Sequence, residues 1–290
     1  MLEHGLGTIS GILSRAAGGR PMPHVRRLGR PLVSLLAVVA LVSGCGSKGS
    51  SDTDPAQVDS TTAPDIGVCR LLTPEEVAQT SNATRTVNCS RAHTAQTYAV
   101  GSLPARFAHA SYDDASLAAY AYRTCSRTFI RFTGADESLA MRTILSWAWF
   151  RPSQKAWDEG ARWYRCDVIG GGDQAKQYVG LPADAKGLLL GRPADRWMVC
   201  AQGRTVSGSV KVPCNQKHDW RAVTTIVLGE AKTPYPGDRL VQVRTRDYCS
   251  KSVGAFLGYP VDYDFGYSWF HKAEWDAGNR RSVCWARTTS

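Results

Sequence analysis

The residues of this 290-residue chain that could do chemistry come in matched pairs. His93 and His218 each follow a cysteine at the same spacing, in Cys89-x-x-x-His93 and Cys214-x-x-x-His218. Thiolate and imidazole together are zinc ligands, with Cys69 or Cys200 available as a third, and imidazole alone titrates near neutrality and can act as a general base. Trp157-Asp158-x-Gly160-x-Arg162-x-x-x-Cys166 recurs as Trp275-Asp276-x-Gly278-x-Arg280-x-x-x-Cys284. An indole face suits a sugar ring and a guanidinium suits a carboxylate or phosphate, so Trp157, Arg162, Trp275 and Arg280 could form a ligand platform. The expected reading is structural: an Asp-x-Gly turn with the Trp buried and the Arg paired to the Asp.

Further matches keep the same order. Val87-x-Cys89 parallels Val212-x-Cys214, and Cys125-x-x-x-Phe129-x-x-Phe132-x-Gly134 parallels Cys249-x-x-x-Val253-x-x-Phe256-x-Gly258. Cys69 and Cys200 precede each set, so eight of the nine cysteines fall four to a copy. The chain is an internal duplication, and each copy of roughly a hundred residues is a domain rather than a solenoid unit.

The ninth cysteine, Cys45, closes a different segment. Arg26, Arg27 and Arg30 lead into an apolar run from Leu32 to Val42, then Ser43-Gly44-Cys45. That run is shorter than the roughly 20 residues that span a bilayer, and a basic front with small residues at the cut is an export signal. Residues 1–44 are read as signal peptide, with Met22 a candidate true start. Val42-Ser43-Gly44-Cys45 resembles the bacterial lipobox, which implies a lipidated Cys45 and a membrane held through acyl chains. Residues 45–66, rich in Gly, Ser and Thr and without apolar periodicity, are expected to be a flexible tether.

Export decides the chemistry of the remaining cysteines, because disulfides persist outside the cytosol. Four cysteines per copy allow three pairings; the choice made is Cys69–Cys89, Cys125–Cys166, Cys200–Cys214 and Cys249–Cys284. Ala118, Ala121, Cys125, Phe129 and Phe132 are spaced three and four apart, as are Cys249, Val253 and Phe256, which makes an apolar helical stripe containing the Cys. Gly134 and Gly258 end these helices. The stripe could cover the closing strand of its own copy, Trp163 to Ile169 or Arg281 to Ala286. With thiols oxidised, metal and cofactor sites are not expected, and His93 and His218 are expected to hydrogen-bond at the start of a strand.

Strands are expected over Thr94 to Val100, Arg221 to Leu228, Ile144 to Phe150 and Tyr263 to Phe270. Each copy reads strand, strand, helix, strand, strand: an α+β fold in which a small antiparallel sheet packs against one helix. The domains run 67–170 and 195–290, joined by a linker over 171–194 that starts at Gly170-Gly171-Gly172.

Apolar residues make up 43% of the chain and charged residues 21%, ordinary values for a globular protein. Residues 1–45 hold five Arg and one Glu, so their removal lowers the formal net charge from +10 to +6. A modest positive balance outside a cell favours anionic lipid or wall polymer, and no nucleic-acid motif or basic stripe is present. No Gly-x-Ser-x-Gly elbow, His-Glu-x-x-His helix or phosphate-cradling loop occurs.

Val212-Pro213-Cys214-x-x-x-His218, the Tyr235-Pro236-Gly237 turn, Cys249 and the closing Trp275 to Cys284 motif resemble the septum formation domain of actinobacterial envelope proteins. The first copy departs from it, with Asn88 in place of Pro213 and no Tyr-Pro-Gly turn. The resemblance implies a non-enzymatic module, tethered to the extracytoplasmic face of the cell membrane, whose partners are other envelope or division proteins or wall polymer. Two alternatives are carried forward: an envelope hydrolase or transferase using His93 or His218, which needs a ring in an open cleft, and a ligand carrier, which needs a sizeable apolar cavity.

Overall fold

The structure, a computed structural model, describes residues 53–172 and 174–288; the signal segment, Met22 and Cys45 lie outside the described residues. The first repeat runs β1 (Cys69–Arg70), α1 (Pro74–Val77), β2 (Thr86–Val87), β3 (Ala95–Ser102), α2 (Ala115–Thr133), α3 (Glu137–Ala140), β4 (Ser146–Phe150), α4 (Gln154–Asp158) and β5 (Trp163–Ile169). The second runs β6 (Val199–Gln202), β7 (Val210–Pro213), β8 (Trp220–Val227), α5 (Asp238–Phe256), β9 (Phe265–Ser268), α6 (Lys272–Ala277) and β10 (Arg281–Arg287). Strand order is β2-β1-β3-β5-β4 in one sheet and β7-β6-β8-β10-β9 in the other, and every pairing is antiparallel. The two sheets have the same connectivity, and each carries one long helix: an α+β fold, duplicated.

The long helices form where apolar residues recur every fourth position. Leu117, Ala121, Cys125 and Phe129 are buried along α2; Val241, Thr245, Cys249 and Val253 are buried along α5. Asp114 caps α2 by accepting from the Ser116 amide, and Gly134 closes it at φ 77°, a left-handed geometry that glycine adopts without a Cβ clash. Each helix lies on its own sheet and is joined by sulfur to the closing strand, β5 or β10, which stands next to the central β3 or β8. Four disulfides close within the repeats: Cys69–Cys89, Cys125–Cys166, Cys200–Cys214 and Cys249–Cys284.

Side chains of β5 alternate. Tyr164, Cys166 and Val168 join the core beneath α2, whereas Ile169 packs with Leu72, Ala95 and Phe150 on the opposite face, and Trp163 with Ala63. That opposite face needs cover: Val77 and Tyr178 pack on Ile169 and its neighbours, and the segment expected to be tether covers the Trp163 end from Thr53 onward. Thr53 bridges to Thr84, the Ser153 amide donates to the Val58 carbonyl at 2.9 Å, and the Trp163 indole donates to the Ser60 carbonyl at 2.9 Å. Residues 53–66 are thus part of the first repeat rather than free chain. The apolar side chains they cover on the sheet outweigh the entropy kept by a solvated tether.

The connector over 171–194 is also laid on the first repeat. The Leu181 amide donates to the His93 carbonyl and the Leu189 amide to the Thr133 carbonyl, with Leu189 fully buried and Leu190 exposed.

The repeats share a core. Tyr98, Phe129 and Trp149 of the first form one continuous apolar cluster with Val199, Ala222, Val283 and Trp285 of the second. Backbone bonds cross the junction from Ile144 to Trp197 and from Val199 to Arg142, both at 2.9 Å, and Arg281 pairs with Glu137 at 2.7 Å. α2 therefore packs on its own sheet with one flank and faces the second repeat's sheet with the other. Among the described residues α5 packs chiefly on β8, β9 and β10 of its own sheet, and Arg239, Arg244, Arg246 and Lys251 leave its outer flank charged and exposed.

Candidate functional site

Between α2 and the second sheet lies a cleft of about 640 Å³. Tyr122 and Ile130 of α2, Trp147 of β4 and Val199 and Trp285 of the second sheet give it an apolar, partly aromatic interior. Tyr122 meets Trp147 edge to face with centroids 5.7 Å apart, and burial pushes its hydroxyl pKa well up, so it stays neutral. Gly266 sits on β9 where a Cβ would come 2.5 Å from Val206 Cγ2; its bareness lets the loop carrying Val206 close this end.

Cations edge the cleft. Lys211 Nζ donates to the carbonyls of Val206 (3.0 Å) and Ser209 (3.3 Å) and stands 4.9 Å from the centre of the Trp285 ring. Burial alone lowers its pKa to about 8. Arg123 and Arg127 contribute from the exposed side of α2. No histidine or cysteine lines this space. Its interior is apolar and its edge carries charge of both signs, with Glu137, Glu274 and Asp276 beside the cations.

Neither histidine is near it. His93 is 1% exposed, with Nδ1 2.7 Å from the Arg91 carbonyl and Nε2 3.1 Å from the Pro182 carbonyl. His218 Nδ1 lies 2.8 Å from the Gln216 carbonyl. In both repeats the ring closes the loop between the cysteine and the next strand by reaching back two residues. Cys89 and Cys214 are in disulfides, so no thiolate accompanies either ring, and no cluster among the described residues could hold a metal.

The tryptophans are buried and the arginines half-buried, but the arginines do not pair with the aspartates. Each Asp-x-Gly turn is the end of a short helix, α4 or α6, whose last carbonyls lack intrahelical partners. Arg162 serves one of them and reaches beyond the helix: it lies over the Trp157 ring at 4.1 Å and donates to the carbonyl of Trp157 and to those of Ala161, Phe107 and Ala108. Arg280 does the same over Trp275 at 3.7 Å, donating to Trp275, Asn279, Glu230 and Ala231. Asp158 accepts instead from Gln154, and Asp276 from Lys272. A guanidinium prefers several aligned carbonyls here because its planar fork reaches two segments at once. Trp157 and Trp275 also donate their indole N–H to Ala110 and Thr233. The duplicated motif is a clamp that ties the loop after the long central strand to the closing strand.

One constellation escapes a reading by motif. Beneath the first sheet Arg165 and Asp167, both fully buried, pair at 3.0 Å; Asp167 accepts from Thr97 at 2.7 Å, and Thr97 accepts from Arg70 at 3.0 Å. Burial lowers the Arg70 pKa to about 10, the nearby Arg165 charge adds to this, and Asp167 opposes it. Asn82, in the loop between α1 and β2, receives Arg165. The only sequence signal was charge at alternate positions of β5, where an apolar inner face was due.

The family model for septum formation matches residues 38–150 and again residues 142–284, together reaching over most of the 290 residues. The two matches are offset from the folded repeats: the first ends at the last residue of β4, before Cys166, and the second begins in the junction ahead of β4. No curated protein and no solved structure matches the chain. Four disulfides and this family point to an extracytoplasmic protein, and among the described residues no helix is long and apolar enough to cross a membrane. With the matching order of strands, helix and cysteines in both halves, the chain belongs to the septum formation family and carries two repeats of its domain.

Proposed function

We propose that the protein is an exported lipoprotein, anchored through Cys45 to the extracytoplasmic face of the cell membrane, that acts without catalysis as a binding or scaffolding module of the envelope, in septum formation. The observation that carries this reading is that all eight cysteines of the two repeats are bridged, leaving no thiol for redox or metal chemistry. His93, with both ring nitrogens against backbone carbonyls, is a poor general base. The shared core favours a rigid two-domain body over a flexible pair.

The test is in two parts. Metabolic labelling with palmitate should mark the wild type and leave Cys45→Ala unlabelled; label on the variant would place the lipid elsewhere or remove it from the account. Crosslinking in intact envelopes, followed by mass spectrometry, should recover division or wall-synthesis proteins or wall polymer. Turnover of a wall or lipid substrate that is abolished by His93→Ala or His218→Ala in a folded protein would overturn the non-enzymatic reading.

The cleft favours a second reading, a ligand-carrying lipoprotein, because its volume lies within the roughly 300 to 1,000 Å³ of small-molecule sites.

A further inference from the structure

Most charged groups around the cleft are already committed. Arg281 pairs with Glu137, Arg280 is spent on carbonyls, Glu274 accepts from the His271 amide, and Asp276 pairs with Lys272. Arg123 and Arg127 are not: both line the cleft, both are exposed, and neither has a hydrogen-bond or ion-pair partner among the described residues. They stand at i and i+4 on α2, side by side on its surface, where two like charges repel and destabilise a helix slightly. Behind them the lining turns apolar and aromatic through Tyr122, Ile130, Trp147 and Trp285. Lys211 adds a third positive charge from the opposite wall.

We propose that this cleft binds an anionic amphiphile, an apolar body bearing one phosphate or carboxylate head. The head sits on the paired guanidiniums of Arg123 and Arg127, whose forks match the oxygens of either anion, and the body displaces water from the aromatic lining. A neutral apolar ligand would leave the two arginines unused. A polyanion with several heads would gain little from an interior without further free cations. The site is composite: α2 belongs to the first repeat and Lys211 and Trp285 to the second, so neither repeat alone builds it. The proposal rests on reading the chain as a binding module and names the class of ligand.

The experiment is calorimetric titration of the purified, oxidised full chain with decanoate, decyl phosphate and, as the uncharged probe, monodecanoylglycerol, all below their aggregation concentrations. The anionic probes should bind and the neutral one should bind at least about tenfold more weakly, the value of a charge-assisted hydrogen bond. Arg123→Gln combined with Arg127→Gln should lower anion affinity by about tenfold or more while leaving the neutral probe unchanged; both side chains are exposed, so the fold is kept. Ser126→Trp, placed between them on the cleft wall, should abolish binding of all three. Preference for decyl phosphate assigns a phospholipid-like source, and preference for decanoate a fatty-acid source; either sustains the proposal. Equal binding of charged and neutral probes, unchanged affinity in the double Gln variant, or no binding of either anion overturns it. In that event, palmitate labelling and envelope crosslinking would still decide the scaffold reading separately.

Discussion

The guanidinium of Arg280 lies 3.7 Å from the centre of the Trp275 ring, and the same contact is made by Arg162 and Trp157 at 4.1 Å in the other repeat. Two copies of one motif have kept one geometry, although the loops they hold differ in sequence and in length. In each, a stacked cation closes a short helix and anchors a distant loop, so the motif acts as a fold determinant.

Replacing Arg162 by Ala should cost about 2 to 4 kcal/mol, because four carbonyls lose donors and the indole loses its stacked cover. Arg162→Lys should recover only a small part, since an ammonium cannot reach two segments in one plane. Thermal unfolding of both variants checks this; a Lys variant as stable as wild type would show that charge alone suffices.

Asp167→Asn should be among the most damaging single changes, at about 3 to 5 kcal/mol, because it strands the Arg165 guanidinium in the interior and weakens Thr97. Changing Asp167 and Arg165 together to Asn and Met should lose less than Asp167→Asn alone. Denaturant unfolding of the pair and the singles measures this coupling, and strict additivity would contradict it.

The bridges should rank by the chain they enclose. Cys125–Cys166 spans 41 residues and Cys200–Cys214 spans 14, which corresponds to roughly 4 and 3 kcal/mol in the entropic description. Removing each pair as a double Ala variant and comparing melts should give that order. Alkylation under denaturing conditions without reductant should leave all eight of these cysteines unlabelled.

Lys211 makes stability depend on pH. Its folded pKa, lowered to about 8 by burial, lies below the roughly 10.4 of an unfolded lysine. Between those values the unfolded chain holds a proton that the folded chain lacks, so stability rises with pH through the window and is flat with respect to this group below it. Above about pH 10 the raised pKa of Tyr122 acts in the opposite direction, which limits the useful range to about pH 8 to 9.5. Melting temperature should climb across that range in the wild type relative to Lys211→Met. Parallel curves would mean that Lys211 titrates as a solvated lysine.

Much of this molecule is legible before folding because its information is local and repeated. Cys125 and Cys249 sit in stripes of apolar residues three and four apart that need no tertiary context to be read as helix, although Phe256, counted in the second stripe, is exposed, and the spacing of Trp157 and Trp275 to their cysteines marks the duplication directly. What Arg162 and Arg280 do was not legible, since their acceptors are main-chain carbonyls, which carry no residue identity. The cover over the first sheet escaped for a related reason. Val58, Ser60 and Ala63 belong to a stretch with no periodicity, and it is held where Trp163 presents an indole that water would otherwise wet.

By itself the amino-acid order determined the repeat, the sheet-and-helix unit and the set of cysteines available for bridging, all properties of segments close along the chain. The way the repeats meet was decided only in three dimensions. α2 and α5 are the same length and bury the same pattern on their own sheets, yet α2 turns its other flank to a neighbour and α5 turns charge to solvent. Burial against a surface from another part of the chain is a property of the pair of surfaces, and it is that pairing which encloses the cleft and leaves Arg123 and Arg127 at its edge.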